Sequence, residues 1–321
     1  MTQNHPERLS LFPLQPYDRE PWEYYQKQEE ASWAVSEVNL KDDVVDWEEM
    51  SPDFKAVFEM LMAFFAVSDR LIVLNIQDLQ HRIGRHEMAR SCFLTSQERI
   101  ECVHQHMYAI FISSIIPSPS RRAELYDAVK TFPSIAKKTA WMRSYLGHED
   151  IRVAILANAC GEGIGFSNAF GIALLPKTMS GKMFGWCYGN EKVMADEFLH
   201  FSHCCSWYRE FSPLSQDTFN AVVTSAVDVE LAFVKDILGD KKFPGLDAEK
   251  LSLYTFYIAD LLCNMCGHPP IYNVTENPLN YMVLTGLKGK TNFFERTVGE
   301  YKKLSADNVN QALVLDFTKL V

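Results

Sequence analysis

From Ser51 onward the apolar positions of the chain recur at helical spacing. Phe58, Met62, Phe65, Ile72 and Ile76 fall three, four and seven residues apart, on one face of a helix that the pattern carries to about Arg85. Ser51-Pro52 marks its start, a capping hydroxyl followed by proline at the first helical position. Thr95 and Glu98 have the spacing of a capping box, which predicts a second helix from there to Ile116, broken by Pro117 and Pro119. Shorter helical patterns cover 121–131 and 134–146, and longer ones 149–175, 179–210, 215–238 and 247–266. Gly185 and Gly189 predict a bend in the 179–210 stretch. No stretch has the period of two that a half-buried strand needs. The first thirty residues are rich in proline and charge and predict an irregular arm, 1–30. The fold class expected is all-α, a bundle of long helices.

Composition narrows the function classes. The 321 residues, 47% hydrophobic, suffice for one large domain or two ordinary ones with a sizeable core. A formal net charge of −10 with no basic stripe argues against a nucleic-acid partner. No apolar run approaches the roughly 20 residues that span a bilayer. The opening MTQNHPERLSLFPLQPYDREPW has no signal-peptide core, so a soluble, cytoplasmic protein with no membrane association is expected. Eight cysteines are too sparse for a disulfide scaffold and read as thiols. Cys263 and Cys266 form a lone CxxC without the second pair that a structural zinc site needs.

Several ionisable residues fall on faces that ought to be apolar. Asp69 fills the gap in the Phe58–Ile76 stripe. In ECVHQHMY, at about 100° per residue, His104 lies about 60° and Tyr108 about 20° from Glu101, while His106 points away. Glu162 sits on the face of Ile155, Phe166, Phe170 and Ala173, and DEFLH places Glu197 and His200 three apart beside Val193 and Cys204. An ionised carboxylate on a buried stripe costs several kcal/mol unless something pairs with it. One ExxH is weak evidence. Here an acid precedes each of two, Asp69 by 32 residues before Glu101 and Glu162 by 35 before Glu197. Helix bundles hold two metal ions with such a set, one acid from each of two helices and an ExxH from each of the other two. Two divalent cations would cancel the four carboxylate charges, and mixed carboxylate and imidazole ligation suits iron or manganese better than zinc. Six protein ligands for two ions leave coordination positions open, as oxygen chemistry requires.

These same segments carry a resemblance. RLSLFPLQ, ASWAVSEVNL, FFAVSDRLI, ECVHQHMY, GEGIGFSNAF, DEFLH, ENPLNYM and GKTNFFERTVGEY, from about Arg8 to Tyr301, are similar to the small, radical-generating subunit of class I ribonucleotide reductase, in its eukaryotic and viral branch. The resemblance implies a ferritin-like helical bundle over 31–285 with a buried dinuclear site, its ligands Asp69, Glu101, His104, Glu162, Glu197 and His200. It implies two iron ions, oxo-bridged when oxidised, with manganese as the variant, and O2 as the oxidant that forms a stable tyrosyl radical on Tyr108. Relatives with phenylalanine at that position use a manganese–iron centre, so Tyr108 favours the tyrosyl form. Phe166 and Phe170 match residues lining the radical pocket, and Trp33, Asp196 and His104 match the route by which the oxidising equivalent leaves. Tyr301 matches a relay tyrosine in a C-terminal tail, 286–321, that docks on a large subunit. There ribonucleotides are reduced to deoxyribonucleotides for DNA replication. The small subunit is expected to be a homodimer.

Two departures stand out. Ala195 occupies a position that is usually basic, and ADNVNQALVLDFTKLV lacks the usual ending of an acidic residue and phenylalanine. Leu313, Leu315, Phe317 and Leu320 would supply its apolar anchors. The competing enzyme class is a diiron or manganese–iron oxidase acting on a small apolar ligand, which would need no exit route through Trp33, Asp196 and Tyr301. A metal-free assembly partner would have lost ligands, and a ferritin-like store fits neither the length nor the tail. No Gly-rich phosphate loop is present, so the nucleotide is expected to bind elsewhere.

Overall fold

The computed structural model describes residues 10–84, 87–179, 181–279 and 281–282. Thirteen α-helices and two short 3-10 helices (Pro16–Asp18 and Val35–Glu37) are present among them, and no named strand. In chain order the α-helices are α1 (Arg19–Glu30), α2 (Lys41–Glu49), α3 (Pro52–Arg82), α4 (Met88–Ile115), α5 (Pro119–Tyr126), α6 (Ala128–Thr131) and α7 (Pro133–Ser144). There follow α8 (Ile151–Glu162), α9 (Ile164–Ala173), α10 (Leu175–Met179), α11 (Phe184–Arg209), α12 (Gln216–Leu238) and α13 (Ala248–Cys266). The bundle belongs to one unit, Met1–Asn280; a second unit spans Tyr281–Val321. Tyr301 and the segment 283–321 lie outside the described residues. No described helix is long and apolar enough to cross a membrane.

The long helix α3 begins where the sequence signals it, with Ser51 Oγ accepting from the Phe54 amide at 3.2 Å. Its stripe of Phe58, Met62, Phe65, Ile72 and Ile76 is buried against α4 and α8, and Asp69 is buried among them.

Four expectations need correction. Helix α4 starts at Met88, not Thr95, because MARSCFLTS contains no breaker and buries Ala89, Phe93 and Leu94. Thr95 and Glu98 instead link laterally to α3, accepting from Gln80 Nε2 at 3.0 Å and Gln77 Nε2 at 2.6 Å.

The expected irregular arm contains α1. Pro13 and Pro16 precede that helix and Pro21 sits in its first turn, where no intrahelical N–H is required. Helix α1 packs on α4, with Tyr24 and Phe93 ring centroids 5.8 Å apart and Ser96 Oγ donating to Glu29 Oε1 at 2.6 Å.

The stretch expected as one helix over 149–175 divides at Gly163 into α8 and α9. A Cβ at Gly163 would lie 2.7 Å from the Phe201 ring, so this glycine lets α8 pass close to α11.

Helix α11 runs unbroken from Phe184 to Arg209 through the two glycines expected to bend it. They serve close approach instead: a Cβ at Gly185 would sit 2.1 Å from the Asn39 carbonyl oxygen, and one at Gly189 2.6 Å from Met107 Sδ. Asp43 on α2 caps α11 by accepting from the Gly185 and Trp186 amides at 2.9 and 2.5 Å. That cap sets the start of the helix carrying Asn190, Asp196, Glu197 and His200.

Candidate metal centre

Four helices converge on one buried cluster. Asp69 comes from the middle of α3, Glu101 and His104 from α4, Glu162 from the last turn of α8, and Glu197 and His200 from α11. None of the six is more than 3% exposed. Their ligating atoms form two groups, Asp69–Glu101–His104 and Glu101–Glu162–Glu197–His200, each with all atoms within 4.8 Å of one another. Glu101 belongs to both, so the two groups are adjacent and share a carboxylate. That is the geometry of two cation positions side by side.

The histidines are oriented alike. His104 Nδ1 faces Glu101 Oε2 at 3.2 Å and Glu197 Oε1 at 3.1 Å, and His200 Nδ1 faces Glu101 Oε1 at 3.0 Å and Glu197 Oε2 at 2.9 Å. Their Nε2 atoms point outward, His104 to Asp196 Oδ2 at 3.1 Å and His200 to Gln28 Oε1 at 2.8 Å. Gln28 Nε2 donates to Asp196 Oδ1 at 2.9 Å, which leaves Oε1 of the same amide as the acceptor. Both Nε2 atoms therefore carry the proton, and each Nδ1 is the nitrogen available to a cation. Trp33 Nε1 completes the network by donating to Asp196 Oδ2 at 2.8 Å, with the indole stacked near His104 at 6.0 Å and 20°.

The carboxylates outnumber their hydrogen-bond donors. Gln97 Nε2 donates to Glu162 Oε1 at 2.8 Å, and Ser68 Oγ reaches Asp69 Oδ1 at 3.4 Å. No donor reaches the buried Asp69 Oδ2 or Glu162 Oε2. Burial, reinforced by repulsion from Glu101 for Asp69 and from Glu197 for Glu162, holds both acids well above the usual carboxylate range. For Glu197 burial acts upward too, but hydrogen bonds from His104 and His200 overcome it and lower the carboxyl. Burial works to lower His200, yet its bonds to Glu101 and Glu197 raise it to about 9. His104 is raised well above 6.5 in the same way, its bond to Asp196 opposing burial most strongly. Orphaned carboxylate oxygens aimed into a closed cluster, two imidazole nitrogens beside them and excess negative charge fit a pair of divalent cations. The oxygen-rich donor set suits iron or manganese.

One turn beyond His104, Tyr108 is fully buried and its hydroxyl donates to Asn190 Oδ1 at 3.0 Å. Phe65 stacks on its ring at 4.4 Å and 2°, and Phe166 and Phe170 pack on Phe65 at 6.2 and 5.3 Å. Burial, followed by the charge of Asp69, pushes the phenol well above its ordinary value. The pocket keeps a neutral phenol in an apolar wall, beside the carboxylate cluster.

A family model for the ribonucleotide reductase small chain matches residues 8–278. The chain belongs to that family. The vaccinia virus (strain Western Reserve) ribonucleoside-diphosphate reductase small chain is 34% identical over 319 residues, covering 98% of each chain. The tobacco (Nicotiana tabacum) small chain is 34% identical over 302 residues, covering 94% of this chain and 90% of its own. Among solved structures, the ribonucleotide reductase Rnr4 homodimer of Saccharomyces cerevisiae aligns with TM-score 0.76 at 20% identity, over 93% of this chain and 91% of that one. The Streptococcus sanguinis dimanganese(II)-NrdF aligns with TM-score 0.71 at 16% identity, over 87% and 98%. Identities this low establish the ferritin-like architecture alone.

In this small chain the structure brings together nine of the ten expected residues; Tyr301 lies outside the described part. His106 is exposed and takes no part. Ala195 leaves no gap around Asp196, whose oxygens already receive Gln28, Trp33 and His104. Three residues escaped the sequence argument. Gln97 stands one turn before Glu101 and Asn190 two turns before Glu197, on the faces already singled out, so helical spacing could have found both. Gln28 had no such signal, because it lies in the segment that composition marked as irregular.

Proposed function

We propose that this small chain generates a stable tyrosyl radical on Tyr108 and lends it to a large subunit that reduces ribonucleoside diphosphates to deoxyribonucleotides. Asp69, Glu101, His104, Glu162, Glu197 and His200 would hold two iron ions, with manganese as the variant loading. When bound, these ions supply one-electron oxidising power drawn from dioxygen.

The remaining work falls to this chain's own groups. Asn190 orients the phenol through its hydroxyl, and its amide Nδ2 is itself held by the Trp186 carbonyl at 2.9 Å. An amide oxygen cannot keep a proton, so the phenolic proton must leave the Tyr108–Asn190 hydrogen bond as the electron leaves. Asp69 is the carboxylate whose charge acts most strongly on the phenol. Phe65, Phe166 and Phe170 exclude water from the oxidised ring. The observation that carries the proposal is the buried file Trp33–Asp196–His104, which joins an inner histidine to an indole through hydrogen bonds of 2.8 and 3.1 Å. An isolated oxidase has no use for such an exit, so this file favours radical export over oxidation of a bound ligand. From Trp33 the equivalent would pass to Tyr301 and the tail, 286–321, docked on the large subunit. A homodimer in the cytoplasm completes the proposal.

The test is reconstitution of apo-protein with Fe(II) and O2, followed by EPR spectroscopy. A tyrosyl signal should appear in the native chain and vanish in Tyr108→Phe, while the near-ultraviolet absorbance of the metal centre survives. A signal unchanged in that variant would refute the assignment.

A further inference from the structure

Five of the eight cysteines meet in one place, and the dinuclear site uses none of them as a ligand. Cys160 comes from α8, Cys204 and Cys205 from α11, and Cys263 and Cys266 from α13, and each is buried. All five are free thiols. Cys205 and Cys266 face each other closely enough to share a hydrogen bond, with Cys160 and Cys204 beside them. Cys160 also neighbours Cys263. This cluster adjoins the Glu162 and His200 side of the site. Cys204 is one turn beyond His200, and Asn158, one turn before Glu162, donates from Nδ2 to Cys204 Sγ at 3.3 Å. The thiol lies close enough to Glu162 for its charge to act on that carboxylate. The Trp33–Asp196–His104 file leaves from the other histidine.

Core packing alone accepts cysteine at any one of these positions as a small hydrophobe. Convergence of five thiols from three helices, beside a site built for oxidation, gives them a chemistry that packing does not require. Burial pushes the Cys263 thiol up to about 12 and Cys205 well above its ordinary value, so both keep their protons. A protonated thiol is a poor nucleophile and a poor metal ligand. It can still lose an electron together with its proton, and two such losses join two sulfurs. Geometry restricts which two. Cys204 and Cys205 diverge by about 100° around α11 and cannot bond without unwinding it. Cys205 and Cys266 already face each other where α11 packs on α13.

We propose that this thiol cluster is a two-electron reductant for the dinuclear site, oxidised to a Cys205–Cys266 disulfide whenever Tyr108 cannot give its electron. The inference rests on the radical-generating function proposed above. Reduction of one O2 to two waters takes four electrons and four protons. Two bound Fe(II) ions supply two electrons on becoming Fe(III), and Tyr108 supplies a third in productive turnover. Where Tyr108 gives none, Cys205 and Cys266 supply the remaining two. Both S–H bonds break, one S–S bond forms, and two electrons and two protons leave. The electrons pass by way of Cys204 toward Glu162 and His200. The two protons, with two more from solvent, complete the two waters. The balance closes without any other reductant.

The test uses Tyr108→Phe, loaded with Fe(II), exposed to O2, then denatured, alkylated and mapped by mass spectrometry. Free thiols should fall from eight per chain to about six, the loss confined to one Cys205–Cys266 cross-linked peptide. Cys92, Cys102 and Cys187 should stay reduced, and the same variant exposed to O2 without iron should keep every thiol. If Tyr108→Phe does not fold, repeated additions of Fe(II) and O2 to the native chain, its Tyr108 then already oxidised, should give the same disulfide. Adding Cys266→Ala should remove the cross-link and, measured with an oxygen electrode, raise the Fe(II) oxidised per O2 about twofold, since iron must then supply all the electrons. A disulfide formed without iron, thiol loss at other cysteines, or Fe(II) oxidation with every thiol retained would each overturn the inference and leave the functional proposal standing. If Fe(II) is not oxidised at all, the functional proposal fails and the inference falls with it.

Discussion

Gln28 offers the sharpest test of how the site is held. Its amide spans the outer edge of the cluster, accepting from His200 Nε2 at 2.8 Å and donating to Asp196 Oδ1 at 2.9 Å, and it is fully buried. Gln28→Leu keeps the approximate volume and removes both bonds. His200 is then left with a buried donor that has no partner, and Asp196 loses one of its donors but keeps Trp33 and His104. An unsatisfied buried group costs about 1–3 kcal/mol, so the apo-protein should lose roughly 2–4 kcal/mol, the second bond contributing less. Freed of its anchor, the His200 imidazole can rotate or change tautomer, and loss of such an outer partner typically lowers metal affinity about 10–100-fold. The loss should be selective. The position containing Glu101, Glu162, Glu197 and His200 should weaken, while that of Asp69, Glu101 and His104 keeps its Asp196 anchor. Titration of the apo-protein with Fe(II) against a competing chelator would resolve the two affinities, and chemical denaturation would give the stability. Equal weakening of both positions, or none, would show that Gln28 does not set the His200 orientation.

Protonation makes a second prediction. In the apo-protein His104, His200, Asp69 and Glu162 are all raised, so the folded state holds more protons than the unfolded one. For His200 the stabilisation is complete below pH 6.5 and is lost as pH rises through about 9. The apo-protein Tm should therefore fall between pH 6.5 and 9, and metal loading should release protons into weakly buffered solution and flatten that dependence; a Tm rising over this window would contradict the assignment. Lys138→Met should destabilise by about 3–5 kcal/mol, because it strands buried Glu230 without its counter-charge. The double variant Lys138→Met/Glu230→Leu should recover most of that loss in urea denaturation; a single variant costing under ~1 kcal/mol would show that the pair contributes little.

Much of the metal centre was legible along the chain because its signal is local. A carboxylate within an apolar stripe, or an acid and an imidazole three apart, can be seen from helical periodicity alone, and doubling the pattern made the six-residue set specific. Element boundaries were less legible. Thr95 and Glu98 have capping-box spacing, but a capping box also needs the chain to be non-helical before it, and burial of Ala89, Phe93 and Leu94 on α4 extends the helix past that point. Gly185 and Gly189 looked like flexible points, whereas their role is steric and depends on Asn39 and Met107.

The sequence by itself determined the helical class, the six inward-facing acids and histidines of the cluster, the position of Tyr108 one turn from His104, and membership of the small-chain family. Each follows from spacing within one helix or from residues matched in order. Only the tertiary structure decided that Glu101 belongs to both groups of the cluster, that both histidines turn Nδ1 inward, and that Gln28 and Asn190 anchor His200 and Tyr108. These facts rest on hydrogen bonds between groups far apart in the chain, 168 residues for Gln28 with Asp196 and 172 for Gln28 with His200. A periodic pattern states which face of a helix is buried; which atom on that face meets which partner is set when the helices pack.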